Sequence, residues 1–79
     1  MKVRVRLYAS LRKHLPDLGH GEAASIDLPE SATVGDLLHT LGIPDRDAKQ
    51  CFVNNVASDP NHVLHDGDEV GCFPPVAGG

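Results

Sequence analysis

The chain runs out as Phe73-Pro74-Pro75-Val76-Ala77-Gly78-Gly79, and the carboxylate on that last glycine is the group best placed to do chemistry. Gly78 and Gly79 carry no Cβ, so the backbone of another protein can close tightly around them. Pro74 and Pro75 fix φ and favour an extended start with no helical turn-back. Fully extended, the six residues after Phe73 reach about 20 Å, which suits a tail that presents its carboxylate inside a partner's active site. A carboxylate is a poor electrophile, and activating it as an acyl-adenylate consumes ATP. This chain has no glycine-rich phosphate loop. Gly19-His20-Gly21 is too short and lacks a following Lys-Ser/Thr. If Gly79 is activated, the ATP site belongs to a partner, and the chain is the substrate of one enzyme and a reagent for another.

No other constellation competes. His62-x-x-His65, with Cys51 and Cys72 elsewhere, lacks zinc-ribbon spacing, so no metal is expected. No Ser-His-Asp or Cys-His arrangement can be argued from spacing. Two cysteines do not make a disulfide framework, and both sit in apolar stretches, where they read as small buried hydrophobes, the alternative being a disulfide or a reactive thiol.

Seventy-nine residues make one small domain. A chain of that size buries only about 60% of its unfolded surface, so the core is minimal. At 41% hydrophobic and 23% charged it is an ordinary globular sequence. The net charge of −4 argues against a nucleic-acid partner, whose phosphates need clustered Lys and Arg. There is no 18-residue apolar run, and Lys2, Arg4 and Arg6 break up the N-terminal stretch that would serve as a signal peptide. The expectation is a cytoplasmic protein with no membrane partner and no cofactor of its own.

The elements that position the tail follow from periodicity. Lys2 to Tyr8 alternates without a fault, so it is a strand with Val3, Val5 and Leu7 inward and Lys2, Arg4, Arg6 and Tyr8 outward. Ala9 to Leu15 reads as a short helix carrying Leu11 and Leu15, stopped by Pro16. Asp17 to Glu22 is a loop, and Ala24 to Leu28 a second strand closed by Pro29. Thr33 with Asp36 forms a shortened capping box. The helix it opens runs about ten residues through Leu37, Leu38 and Leu41 to Gly42. Asp45 to Gln50 connects to a third strand, Cys51 to Asn54, which turns at Asn54-Asn55. Val63-Leu64 is a brief apolar piece, Asp66-Gly67-Asp68 a turn, and Glu69 to Phe73 the last strand. The order is ββαβ(β)β: an α+β domain over residues 1–73 with an extended tail over residues 74–79.

Several of these segments together carry a resemblance. Lys-Val-Arg-Val-Arg-Leu-Tyr-Ala-Ser-Leu-Arg at the N-terminus, Thr33-Val34-Gly35-Asp36-Leu37-Leu38, Val53-Asn54, Asp66-Gly67-Asp68-Glu69-Val70 and the Phe-Pro-Pro-Val-x-Gly-Gly ending resemble the small subunit of molybdopterin synthase. That family comprises ubiquitin-like sulfur carriers. The resemblance spans essentially the whole chain in order. It implies a β-grasp fold, with a mixed sheet of four to five strands and one main helix. It also implies adenylation of the Gly79 carboxylate by an E1-like enzyme and conversion to a thiocarboxylate by a sulfur donor protein. The sulfur then passes to the large, catalytic synthase subunit, where it enters the dithiolene of molybdopterin made from precursor Z. The small subunit is not an enzyme by itself. One departure is Cys72, at a position that is often apolar or aromatic in the family.

Alternation puts Val70 and Cys72 inward and so Phe73 outward, as Tyr8 is on the first strand. In a β-grasp sheet the first and last strands are neighbours, which brings Tyr8 and Phe73 together at the base of the tail. Such an aromatic pair reads as a docking patch, continued by Pro74, Pro75, Val76 and Ala77. The alternative is a Phe73 that folds over the sheet end as a lid on the core. Two other functions use the same tail: a carrier whose sulfur goes to thiazole or cysteine synthesis, and a modifier conjugated to lysines through Gly79.

Overall fold

The computed structural model describes residues 1–19, 21–48 and 50–75; His20, Lys49 and the four residues Val76 to Gly79 lie outside it. The alternation of the first strand, β1 (Lys2–Leu7), drives Val3, Val5 and Leu7 into the core and leaves Lys2 and Arg4 exposed. β2 (Ala24–Asp27) pairs antiparallel with β1, Val3 opposite Ile26. The last strand, β5 (Glu69–Phe73), buries Val70 and Cys72 and pairs parallel with β1 on its other side, Val5 opposite Val70 and Leu7 opposite Cys72. β3 (Gln50–Val53) pairs antiparallel with β5, and β4 (Val56–Ser58) antiparallel with β3. The sheet order is therefore β2-β1-β5-β3-β4. Among the described residues, a mixed five-stranded sheet with its first and last strands side by side at the centre, carrying one α-helix, is the β-grasp arrangement, as the resemblance implied.

The helix α1 (Val34–Thr40) starts where its cap chemistry dictates. Thr33 Oγ1 accepts from the Asp36 backbone N–H, and an Asp36 carboxylate oxygen accepts from the Thr33 backbone N–H at 2.9 Å. It spans seven residues between the Thr33 and Leu41 caps, shorter than the ten expected, and it ends where expected, with Gly42 leaving it at φ +75°. Val34, Leu37 and Leu38 join the inward residues of β1, β3 and β5 in one core. Leu41 only borders that core, and Val34, two turns earlier on the same apolar stripe, is fully buried instead.

Two segments depart further from expectation. Ala9–His14 is a 3₁₀ helix and not an α-helix: it has six residues, no side-chain cap, and Ala9 at φ 52°. It buries Leu11 as expected, while Leu15 only lies against the core edge. Asp45–Asp47 adds a single 3₁₀ turn to the connection before β3. The optional fifth strand is β4, not Val63-Leu64. Asn54 and Asn55 both take positive φ, 51° and 70°, as a two-residue type I′ hairpin requires. Val63 instead makes an isolated bridge with Thr33 at the foot of α1.

Leu38→Ala should cost about 2–5 kcal/mol of stability, since Leu38 is fully buried in a small core. Leu41→Ala should cost under about 2 kcal/mol, since only part of that side chain leaves water. Urea titration of the two variants distinguishes them; equal losses would mean that α1 buries a different face.

Candidate functional site: the outer sheet face at the base of the tail

The face of the sheet opposite α1 carries all three aromatic side chains of the chain, Tyr8, Phe52 and Phe73. Strand phase puts them there. Phe73 follows the buried Cys72, and Phe52 lies between the buried Cys51 and Val53. Tyr8 follows the buried Leu7, and its backbone N–H donates to the Cys72 carbonyl at 3.1 Å, which extends the β1–β5 ladder by one step. The rings of Tyr8 and Phe73 then stack with centroids 4.3 Å apart and planes 3° from parallel. Phe52 meets Phe73 edge to face at 5.8 Å and 86°. The Tyr8 ring lies over Gly71, where a Cβ would stand in van der Waals contact with it at 3.4 Å.

Phe73 remains 37% exposed and takes no part in the core cluster. The ring thus lies on the outer face beside Tyr8 and does not act as a core lid. Phe52 is a member of this cluster that the sequence does not single out. The same alternation, Cys51 and Val53 inward, turns it outward, but nothing local tells that β3 is the next neighbour of β5.

The polar half of this face is largely tied to itself. Arg6 Nη1 donates to Glu69 Oε1 at 2.8 Å, and Arg6 Nε to the Gly21 carbonyl at 3.3 Å. The hydrogen bond from Arg6, with the charges of Arg4 and Arg6, holds the Glu69 carboxyl below the usual range. Lys2 pairs with Asp27 across β1 and β2 at 3.0 Å. The side chain of Asn54 accepts from the Glu69 backbone N–H and donates to Asp68, locking the turn before β5. Between the charged and aromatic halves lies an open depression of about 470 Å³, lined by Arg6, Tyr8, Phe52, Asn54, Glu69 and Phe73 among others. Its apolar rings and single acid–base pair fit a protein surface better than a small charged substrate.

Beyond Phe73, Pro74 is half-buried and Pro75 exposed, beside Ser10, Leu11, Lys13 and Asp47. Val76, Ala77, Gly78 and Gly79, the rest of the expected tail, lie outside the described residues. Among the described residues no three His, Cys, Asp or Glu side chains converge as metal ligands. No helix among them is long and apolar enough to cross a membrane.

The sequence profile of the ThiS family matches residues 5–79, from the middle of β1 through the Gly-Gly end. The chain belongs to the ThiS family. Its members are ubiquitin-like sulfur carriers, and the β-grasp sheet described above is their scaffold. The solution structure of the HVO 2177 protein from Haloferax volcanii is 29% identical, with a TM-score of 0.78 over 100% of this chain and 87% of that one. A Pyrococcus furiosus protein assigned as molybdopterin converting factor, subunit 1, is 28% identical with a TM-score of 0.72, over 95% of this chain and 98% of that one. The small archaeal modifier SAMP1 of Haloferax volcanii is 24% identical with a TM-score of 0.72 over the whole of both chains, a likeness of fold. Comparison with curated protein sequences finds no match.

Truncating Phe73 to alanine should lower stability by about 1–2 kcal/mol, from the loss of two aromatic contacts at a partly exposed site. A loss above about 4 kcal/mol in denaturant titration would restore the core-lid reading. The Arg6–Glu69 pair predicts a pH effect of definite sign. A carboxyl lowered in the folded state stabilises above its ordinary value, and that contribution disappears as pH falls through the lowered folded-state value. Glu69→Gln should therefore flatten the acid limb of the stability profile, and less so in high salt. An unchanged acid limb at low salt would show that the pair does not persist in solution.

Proposed function

We propose that this chain is the sulfur-carrying small subunit of a molybdopterin synthase. An E1-like enzyme uses ATP to adenylate the Gly79 carboxylate, and a sulfur donor protein converts the acyl-adenylate to a thiocarboxylate. The large synthase subunit then receives that sulfur for the dithiolene built on precursor Z. The observation that carries this reading is the strand that runs into the Phe-Pro-Pro-Val-x-Gly-Gly ending. β5 is a central strand of the sheet, and its last residue, Phe73, is stacked on Tyr8. Membership of a sulfur-carrier family and the 28% identity to a protein assigned as molybdopterin converting factor, subunit 1, support it. The chemistry is coherent from first principles. An acyl-adenylate has a good leaving group, and a thiocarboxylate holds a soft nucleophilic sulfur on a narrow arm. The chain itself needs no catalytic side chain, since those for the pterin step belong to the large subunit.

In this reading Tyr8 and Phe73 anchor the large subunit, Pro74 and Pro75 set the direction of the arm, and Val76 and Ala77 line the channel with Gly78. Phe73→Ala should weaken binding to the large subunit by about 1–3 kcal/mol, beyond its small effect on folding. Phe52→Ala should do the same, and normal affinity of both folded variants would rule out this face as the dock.

Length is the second test. Adding one alanine after Gly79 moves the reacting carbon about 3.3–3.6 Å too far, and misplacement by about 1 Å can cost a hundredfold in rate. The extended chain should still bind the large subunit yet give no dithiolene product. Synthesis at the wild-type rate, with the extra residue intact by mass, would refute the role of Gly79. A thiocarboxylate that disappears as the dithiolene forms supports the pterin branch. A thiocarboxylate consumed only by thiazole or cysteine synthesis assigns the carrier to those pathways. Gly79 in an isopeptide bond with lysines of other proteins would make the chain a modifier instead.

A further inference from the structure

Cys51 and Cys72 stand directly opposite each other on the antiparallel strands β3 and β5, with their sulfurs 3.5 Å apart. The Asn54 backbone N–H donates to the Glu69 carbonyl at 2.7 Å, which marks that pair as a hydrogen-bonded one. Counting along the alternating ladder makes Cys51 and Cys72 a non-hydrogen-bonded pair, the kind in which side chains approach most closely. The Cα separation typical of such pairs, about 4.5 Å, lies within the range that a disulfide spans, and only about 1.5 Å of sulfur movement is needed. Both thiols are free.

The two sulfurs are not equivalent. Cys51 is buried, at 5% exposure, but it is among the residues that line an open groove of about 450 Å³, with Val34, Leu38, Ala57 and Pro60. Cys72 is completely buried, flanked by Leu7 of β1 on one side and Cys51 on the other. The hydrogen bond with Cys51, then burial, push the Cys72 thiol up, whereas the same hydrogen bond, with Cys72 as partner, lowers Cys51 against its own burial. A groove-side sulfur that meets the oxidant and a buried sulfur that resolves it make a complete dithiol device.

We propose that Cys51 and Cys72 form an intramolecular disulfide on exposure to a small peroxide, and that this bond staples β3 to the strand that launches the tail. The Cys51 sulfur attacks one oxygen of hydrogen peroxide, the O–O bond breaks, and one water leaves. Cys51 is then a sulfenic acid. The Cys72 sulfur attacks Cys51 Sγ, the S–O bond breaks, and the hydroxyl leaves as a second water with the Cys72 proton. Two thiols are oxidised by two electrons in total, and one peroxide is reduced to two waters. The bond closes a stretch of chain 21 positions long, which restricts the unfolded state and should raise the folding equilibrium constant on the order of a hundredfold. The staple does not depend on any role of Gly79, since it involves only the folded sheet.

The test uses the full chain, reduced, then treated with hydrogen peroxide, denatured and alkylated. Intact mass should show the loss of two hydrogens and no alkyl group added. Peptide mapping should join the Cys51 and Cys72 peptides, and the thermal midpoint should rise by several degrees until a dithiol reductant restores it. Cys72→Ser should leave a Cys51 sulfenic acid that dimedone traps, while Cys51→Ser should keep Cys72 unoxidised over the same time. The wild-type mass alone suffices if either variant folds poorly. Two thiols that still alkylate, disulfide-linked dimers, or a Cys51 sulfinic acid formed ahead of any internal bond would each overturn the proposal.

Discussion

Parallel pairing of β1 with β5 is the constraint on which everything else in this molecule hangs. It joins residues such as Arg6 and Gly71, 65 positions apart along the chain (71 − 6), and sets both strands at the centre of the sheet. Closing so long a loop is entropically unfavourable until the ladder and the core beneath it form together. The inward residues Val5, Leu7, Val70 and Cys72 repay that cost by packing against α1. The outward ones bring Tyr8 against Phe73 and Arg6 against Glu69. Without this one register, the last strand would have no fixed exit, and the residues after Phe73 no fixed origin.

The division of labour between the two faces follows from size. A domain of 79 residues has room for one small core, and that core uses one side of the sheet completely. The other side is left to aromatic rings and paired charges, which a monomer tolerates when the rings cover one another. Phe52, Tyr8 and Phe73 do so only in part, and Phe73 remains the most exposed of the large apolar groups beside the tail. An unfinished aromatic cluster is what a partner surface would complete.

Much of the fold could be read from the chain because its signals are local. The fault-free alternation of Lys2 to Leu7, the Thr33–Asp36 cap, the helix stop at Gly42 and the two asparagines of the hairpin each act within four residues. What escaped reading depends on neighbours distant in sequence. β4 has an exposed Val56 and Ala57 and becomes a strand only because β3 offers an edge beside it. The Ala9–His14 segment has helical spacing but too few residues and no cap, so a 3₁₀ turn wins. Phe52 had the right phase for the site, yet its place depends on β3 lying next to β5. The pairing of Cys51 with Cys72 is likewise a matter of register, invisible to spacing along the chain.

The central claim is that the chain carries sulfur on the carboxylate of Gly79. Its most direct test is the intact mass of the protein after incubation with an E1-like adenylating enzyme, ATP and a sulfur source, followed by fragmentation of the C-terminal peptide. The account predicts a gain equal to the replacement of one oxygen by one sulfur, confined to Gly79 and absent when ATP is withheld. An unchanged mass under conditions where the same enzyme loads its own carrier, or sulfur found on Cys51 or Cys72 and not on Gly79, would contradict it.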